Sequence, residues 1–286
     1  MPVQIPDTLA WKEPVNPVGL EKPAIRCPVP RLCSMLVILS ICLLLVIPAA
    51  SATEYTLNTT SIEQFRQGIS YTGSDELVIG IEDDVTIESN TDAGIESAAP
   101  VTIRSPDGRT LSIQVTNESE MIYGIRAPSV SIESGHINIV VKGKNQNGTS
   151  NAYGICAESD NVSISGGSVF TTVETPRHKN KGIYASRFVL IAGGLVNVTQ
   201  HGGSNTFGLD SGELDAEKTY GGVRISGGRV LVNSSGALNR NIGIDSLSGT
   251  IEISGNTVVV VRVDGSGARQ NYAYNPNITS IYGMNL

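Results

Sequence analysis

The stretch Tyr153-Gly154-Ile155-Cys156-Ala157 reads YGICA, and close variants of this phrase recur through most of the chain. The variants are AGIES (93–97), YGIRA (123–127), KGIYA (181–185), FGLDS (207–211) and IGIDS (242–246). Their glycines, at positions 94, 124, 154, 182, 208 and 243, are 30, 30, 28, 26 and 35 residues apart by subtraction. A repeat in this range is typical of a solenoid, in which each unit buries its apolar face only against its neighbours.

Two further β-rich segments follow each phrase. The first carries Val or Ile at positions i and i+2, as in Val162 and Ile164, and several copies end in a glycine pair such as Gly166-Gly167. The second is a longer apolar alternation, as in 169–173. Period-two alternation of β-branched residues predicts strands, and the glycine pairs allow the corners between them. We therefore predict an all-β, right-handed, single-stranded parallel β-helix of about six to seven coils.

The alternation also predicts which side chains face the interior. Residues two apart on a strand share a face, so Tyr123, Ile125 and Ala127 are expected to point inward together. The glycine and the residue after the isoleucine are then expected to point outward. Equivalent residues of neighbouring coils form ladders about 4.8 Å apart. The inward ladder is expected to supply stability rather than chemistry, and it comprises Ile95, Ile125, Ile155, Ile183, Leu209 and Ile244.

The ends of the chain differ from the repeats. Arg26 and Arg31 precede an apolar run at 35–47, and small residues fill 50–52, a pattern that predicts a secretory signal peptide behind a polar extension. An uncleaved membrane anchor is the competing interpretation. The predicted divisions are the leader (1–52), an N-terminal cap with the first strands and a helix near 60–68 (53–90), the β-helix repeats (91–263) and a C-terminal cap or tail (264–286).

Charge and cysteine content limit the possible partners. The chain has a formal net charge of −7, and the leader, with four basic and three acidic residues, contributes +1, which leaves −8 on the mature chain. An acidic solenoid has no electrostatic footprint for nucleic acid. Cys156 is the one cysteine after the leader, so no internal disulfide is expected. We expect a secreted or cell-surface protein without a membrane span after leader cleavage.

Asn-x-Ser/Thr sequons occur throughout the mature chain. Each needs only surface exposure and a secretory route with an oligosaccharyl transferase to become glycosylated, although a chain rich in Asn, Ser and Thr also produces sequons by chance. Asn197 and Asn233 follow or precede inward valines and are expected to face outward on equivalent coils. The candidate glycosylation sites are Asn58, Asn117, Asn147, Asn161, Asn197, Asn233 and Asn277.

The residues after each Gly-Ile are expected to form an outward ladder: Glu96, Arg126, Cys156, Tyr184, Asp210 and Asp245. Glu96 and Arg126 are expected to pair as surface ions, and Cys156 is interpreted as a tolerated small residue. Stacked Asp210 and Asp245 would repel each other. Either a calcium ion relieves that repulsion, with Asp215 or loop carbonyls completing an oxygen shell, or both carboxylates remain solvated. Tyr184 is a candidate for stacking on a sugar ring.

The sequence gives little support for catalysis. The three histidines, at 136, 178 and 201, fall in unrelated positions, and no acidic pair or acid–histidine pair is recognised beside a basic residue on adjacent coils. Polysaccharide-cleaving β-helices need such groups for proton transfer. A phosphate loop, a metal-spaced Cys/His set and a nucleophile elbow are also not found in the sequence. We therefore do not expect an enzyme, and a polysaccharide lyase is kept as the weakest alternative.

The segments KGIYAS (181–186), RFVLIAGGLVNVT (187–199) and VRISGGRVLVNSSG (223–236) resemble secreted β-helix proteins known as carbohydrate-binding domain proteins. Coils of that family read G-I-x-A followed by V-x-I-x-G-G-x-V-x-V, and the resemblance covers about residues 90–263. It implies a right-handed parallel β-helix that binds acidic polysaccharides with calcium. Asp210 and Asp245 match the aspartate frequent after Gly-Ile in the family, whereas Arg126, Cys156 and Tyr184 depart from it.

These observations lead to a functional expectation. The leading hypothesis is non-catalytic binding of a polysaccharide or cell-envelope glycan, through Tyr184, Asp210 and Asp245. The rival is a structural subunit of a surface layer, sheath or fibre, built by self-association of exposed β-helix ends.

Overall fold

The computed structural model describes residues 51–144, 151–176, 179–212, 221–246, 250–265, 267–275 and 280–282, and it shows a parallel β-solenoid of about seven turns. In chain order the elements are β1 Ala52–Leu57, α1 Ile62–Phe65, β2 Ile69–Tyr71, β3 Glu76–Ile81, β4 Val85–Ser89, β5 Ala93–Ser97, β6 Val101–Arg104, β7 Thr110–Asn117, β8 Met121–Ala127, β9 Val130–Ile132, β10 His136–Gly143, β11 Asn151–Ala157, β12 Val162–Ile164, β13 Ser168–Thr175, β14 Lys179–Ala185, β15 Phe188–Ile191, β16 Leu195–Gly202, β17 Asn205–Ser211, β18 Gly222–Ile225, β19 Gly228–Ser235, β20 Arg240–Ser246, β21 Thr250–Ile253, β22 Thr257–Asp264, β23 Gln270–Tyr274 and β24 Ser280–Tyr282. No helix among these residues is long or apolar enough to cross a lipid bilayer.

Three parallel sheets form the walls of the solenoid. The strands with the Gly-Ile phrase make the glycine sheet, in the order β2-β5-β8-β11-β14-β17-β20-β23. The following short strands make a nine-stranded sheet, β1-β3-β6-β9-β12-β15-β18-β21-β24, and the longer third strands make a seven-stranded sheet, β4-β7-β10-β13-β16-β19-β22. Every coil thus visits the three sheets in turn, as the three-strand repeat predicts, and the expected all-β parallel coil architecture is confirmed.

The predicted core ladder is confirmed, but the facing of two residues in the phrase is wrong. Ile125 and Ala127 are fully buried in the core. A Cβ added to Gly124 would lie 2.2 Å from Ile139 Cγ2, on the facing seven-stranded sheet, so Gly124 also faces inward. Because two successive residues face the interior, the alternation shifts at the glycine. Tyr123 is therefore outside the core and packs in a separate cluster with Cys156.

One interior column changes chemistry along the solenoid. The residue three positions before the Ile or Leu of the Gly-Ile phrase is apolar in the earlier coils, Ile122 and Ala152, and polar in the later ones, Asn180, Thr206 and Asn241. All five are fully buried. The polar members are hydrogen-bonded, as buried polar groups require. They lie at the corner where the seven-stranded sheet turns into the glycine sheet.

The two ends of the solenoid extend beyond the repeated phrases. Strands β2, β3 and β4 already pair in parallel with β5, β6 and β7, so residues 69–89 form a further coil. Its Gly68-Ile69 lies in register with Gly94-Ile95, a Gly-Ile pair that the sequence interpretation did not recognise. The helix predicted near 60–68 is shorter, Ile62–Phe65. The backbone N–H of Glu88 donates to the carbonyl of Arg66 at 2.7 Å, which occupies part of the edge of β4. Most of the predicted leader, residues 1–50, lies outside the described residues.

Candidate functional site

The outer side of the glycine sheet carries the residues that the sequence nominated for ligand binding. Tyr184, expected to be an exposed aromatic platform, is only 7 % exposed. Its ring lies 4.0 Å from the Lys181 ammonium and 5.6 Å from the ring of Tyr153. Tyr153 in turn stacks on Tyr123 at 5.0 Å. The expectation of an exposed ring at Tyr184 is therefore wrong, because the neighbouring coils pack against it.

The predicted pair of aspartates exists but is not a bare carboxylate pair. Asp210 and Asp245 are direct partners on β17 and β20. Asp210 Oδ2 forms an ion pair with Lys181 Nζ at 2.9 Å, and both side chains are mostly buried. Asp245 Oδ1 accepts a hydrogen bond from Asn275 Nδ2. The negative charge of Asp210, which calcium was expected to neutralise, is thus balanced by the Lys181 ammonium. Asp215, the third predicted ligand, lies outside the described residues.

Metal coordination by side chains requires several acidic, histidine or cysteine groups that converge on one point. Across the described ranges, no group of three or more such residues is close enough to hold a metal ion. A calcium site at Asp210 and Asp245 therefore remains a prediction that would depend on further ligands.

Cys156 lies in a buried cluster with Tyr123, Tyr153 and Tyr184, where ionisation of the thiol and phenol groups is disfavoured. Burial raises the pKa of the Cys156 thiol to about 12 and the pKa of Tyr123 to about 12, because each charged form would lose its hydration. Burial likewise raises the pKa of Tyr153. The thiol therefore stays protonated at neutral pH, which agrees with its interpretation as a small structural residue rather than a nucleophile.

The outward ion pair predicted at Glu96 and Arg126 is present. Arg126 Nη1 contacts Glu96 Oε1 at 2.8 Å, and its Nε contacts Glu158 Oε1 at 2.8 Å. The guanidinium also lies 5.0 Å from the Tyr123 ring centroid. All three charged side chains are substantially exposed, so this network belongs to the solvated surface.

A different surface has the form of a binding groove. An open groove of about 500 Å³ runs along the carboxyl ends of the third strands, where the seven-stranded sheet turns into the glycine sheet. We call this edge of the solenoid the third corner. The groove spans four consecutive coils, and its lining residues are Thr116, Lys142, Gly143, Lys144, Glu174, Thr175, Pro176, His201 and Gly202.

Within the groove, polar side chains from successive coils lie in register. The ladder consists of Thr116, Lys142, Glu174 and His201 in the groove and continues beyond it to Ser235 and Asp264, each paired with the next. Lys142 Nζ is 3.9 Å from Glu174 Oε2, and His201 Nδ1 is 3.1 Å from Ser235 Oγ. The groove thus presents cationic, anionic and hydrogen-bonding groups at the regular spacing of the coils.

The sequence interpretation missed this ladder. It treated the histidines as unrelated, yet His201 lies beside Glu174, which lies beside Lys142. The signal is present in the repeat: each ladder residue comes five positions after the first inward residue of its third strand, as with Ile137 and Lys142. Aligning the third strands, in addition to the Gly-Ile phrases, would have found it. His136 is exposed at the start of β10, and His178 lies outside the described residues.

The sequons lie in different settings. Asn58 and Asn117 cap turns: Asn58 Oδ1 accepts from the backbone N–H groups of Thr60 and Ser61, and Asn117 Oδ1 accepts from those of Glu118 and Ser119. Asn161 Oδ1 accepts from the backbone N–H of Phe188 at 3.0 Å. Asn197 and Asn233 are half-buried on the outer side of the seven-stranded sheet, as expected. Asn147 and Asn277 lie outside the described residues.

Comparisons with known proteins found no matching family model, no matching curated protein and no matching solved structure.

Proposed function

We propose that the protein is a secreted or cell-surface β-helix protein that binds a polysaccharide or cell-envelope glycan without cleaving it. The observation that carries the proposal is the groove at the third corner, with Lys142, Glu174 and His201 on consecutive coils. Concave sites with a few convergent polar groups are the usual form of a ligand site. The resemblance of the coils to carbohydrate-binding domain proteins supports the same function.

The geometry of the groove suits a polymer more than a compact ligand. Its polar groups repeat along the solenoid axis at the coil spacing of about 4.8 Å, and it is open at the surface rather than enclosed. A chain of sugars can lie along such a groove and repeat one contact on every coil. The binding site that we propose is therefore this groove rather than Tyr184, Asp210 and Asp245. Tyr184 and Asp210 contact Lys181, and Asp245 accepts a hydrogen bond from Asn275.

We also propose the handedness of the solenoid, the nature of the leader and the cap at the N-terminal end. We infer a right-handed solenoid, because connections between parallel strands are right-handed in nearly all proteins. We also infer that the leader at 1–52 is a signal peptide, on its charge and hydropathy pattern, and that α1 with β1 caps the N-terminal coil. The stack of Tyr55 on Phe65, with centroids 5.1 Å apart, supports the cap.

A glycan array tests the function directly. The purified protein is applied with calcium and again with EDTA, beside the variants Lys142→Ala and His201→Ala and the control His136→Ala, an exposed histidine away from the groove. We expect binding that weakens in both groove variants and not in the control. If binding is lost in EDTA and is unchanged in the groove variants, the binding site would instead be the calcium-dependent one predicted at Asp210 and Asp245. A complete lack of binding would refute the glycan proposal.

A structural subunit of a surface layer, sheath or fibre is the second candidate. The observation in its favour is the C-terminal end of the solenoid, where the core-packed Val259, Val261 and Tyr274 are only partly buried. Partly exposed apolar residues beside strand edges favour association with another chain. Concentration-dependent filaments in electron micrographs would support this role, and a stable monomer at high concentration would count against it.

Polysaccharide lyase activity is the third alternative. The groove brings Lys142, Glu174 and His201 onto consecutive strands, and a β-eliminating enzyme uses such groups to neutralise a uronate carboxylate and transfer a proton. Our proposal is binding without cleavage, so incubation with a panel of uronate polymers is expected to release no unsaturated product. Release of such product, abolished in His201→Ala, would make the protein an enzyme.

A further inference from the structure

A second groove adjoins the first one on the third corner. It has a volume of about 370 Å³ and lies at the amino ends of the glycine-sheet strands, lined by Asn205, Asn239, Arg240, Arg269 and Gln270. Only Gly203 and Ser204 separate its Asn205 from Gly202 of the first groove. The two grooves therefore meet on one coil, and the second continues towards the C-terminal end.

Cations without carboxylate partners concentrate on this corner. The described ranges contain fourteen lysine and arginine side chains. Seven of them have no carboxylate oxygen of a described residue within 4 Å of a side-chain nitrogen. Four of the seven are Lys144, Lys179, Arg240 and Arg269, and all four lie on the third corner; the others are Arg109, Arg229 and Arg262. On a chain with a net charge of −7, such a concentration marks a site for an anion.

The lining of the second groove also offers a hydrogen-bond acceptor. Asn205 is 9 % exposed, and its Oδ1 is buried with no hydrogen-bond partner among the described residues. Leaving a buried polar atom unsatisfied costs about 1–3 kcal/mol, so a ligand hydroxyl that donates to this oxygen, after the Asn205 side chain rotates to bring it to the groove surface, recovers part of that cost. Arg240 on β20 is the strand partner of Asn205, and Gln270 on β23 is the partner of Arg240, so the three residues lie in that order across successive coils.

We propose that Arg240, Arg269 and Asn205 form an anion subsite for a sugar that carries both a carboxylate or sulfate and a free hydroxyl. Arginine binds planar oxyanions through paired N–H donors, and the hydroxyl donates to Asn205 Oδ1. Recognition by side-chain cations requires no calcium. This inference rests on the proposed function, and it adds a subsite one to two coils beyond the Lys142–His201 groove.

The test compares polygalacturonate, dextran sulfate and neutral dextran as probes, all in EDTA, at low and at high salt. The variant Arg240→Ala/Arg269→Ala is compared with Arg229→Ala/Arg262→Ala, which removes two equally unpaired arginines elsewhere and so matches the change in net charge. We expect the corner variant to weaken binding of at least one anionic probe about tenfold or more and to reduce its salt sensitivity. The control variant is expected to bind like the parent.

The outcomes separate this inference from the function on which it rests. Equal binding of neutral and anionic probes, or equal losses in both double variants, would overturn the subsite and leave carbohydrate binding intact. No binding of any probe by the parent would refute both. The variant Arg240→Lys/Arg269→Lys retains the charge; partial binding by it would show that the paired donors of arginine matter. Circular dichroism and a thermal midpoint for each variant exclude misfolding as the cause.

Discussion

The coils before and after Thr175 share one backbone and differ in their side chains. In the front coils, residues 93–175, the interior column holds Ile122 and Ala152, and the charged residue on the outer face, Arg126, is exposed between two glutamates. In the rear coils, residues 179–264, the same column is polar and the outer charge pair, Lys181 with Asp210, is mostly buried. One repeat therefore tolerates two chemistries.

What the two halves have in common shows what the fold requires. Both keep the glycine, because a Cβ there would collide with the facing third strand or with the backbone of the next coil, and both keep a buried Ile or Leu directly after it. The column can become polar because the corner supplies backbone partners: Asn180 Nδ2 donates to the carbonyl of His201 at 2.9 Å, and Asn241 Nδ2 donates to that of Asp264 at 3.1 Å. A polar ladder at a corner is thus stable where its hydrogen bonds are complete.

The glycine column provides the largest expected effect, and it should be equal in the two halves. A Cβ at Gly124 would lie 2.5 Å from the Gly154 carbonyl oxygen, and one at Gly208 would lie 2.3 Å from that of Gly243. Since backbone blocks both, Gly124→Ala and Gly208→Ala are each expected to cost about 3 kcal/mol or more in unfolding free energy. Gly80→Ala is the control, because its Cβ would meet only ordinary contacts from 3.6 Å. If one of the two variants, Gly124→Ala or Gly208→Ala, kept the stability of the parent, the glycine would not be equally required in the two halves.

The polar column provides the next effect. Asn241 Oδ1 accepts from Thr206 Oγ1 at 3.0 Å and from the backbone N–H of Ala237 at 3.1 Å, while its Nδ2 donates to Asp264 and Asn271. Asn241→Ala leaves several of these groups buried and unpaired, so we expect a loss of about 2–4 kcal/mol in urea denaturation. Asn271→Ala, in the same column but exposed, is expected to lose less than about 1 kcal/mol. Equal losses would mean that the network does not stabilise the rear coils.

The same contrast explains how much the sequence could predict. The Gly-Ile period and the alternation of Val162 with Ile164 predicted three parallel sheets, because these patterns directly reflect backbone geometry. The inward glycine was missed because strict alternation allows no shift of face within a strand. Lys181 was not recognised as the partner of Asp210, since that contact joins non-equivalent positions of two coils. The His201 groove required alignment of the third strands rather than of the phrase.

The outer charge pairs should differ between the halves. Lys181→Met removes the ammonium that lies 2.9 Å from the carboxylate of Asp210, whose side chain is 10 % exposed, so about 2–3 kcal/mol of stability should be lost. Asp210→Asn in the same chain should restore part of that loss, which a double-mutant cycle measures. Arg126→Met, in the exposed front network, should cost less than about 1 kcal/mol. Similar costs at Arg126 and Lys181 would remove the distinction between the two halves.

Alkaline pH tests the buried tyrosines of the front coils, with the smallest effect. Burial raises the pKa of Tyr123 from 10.0 to about 12. Below pH 10 both the folded and unfolded states keep the proton, and stability is unaffected. Between pH 10 and pH 12 the unfolded state releases it first, so stability contributed by the neutral phenol is lost as pH rises. Tyr123→Phe should therefore flatten the fall of the urea midpoint over this window, measured against the parent protein. An unchanged slope in Tyr123→Phe would show that the ring becomes hydrated in the folded state, and the stack with Tyr153 would then be looser than the interior beneath it.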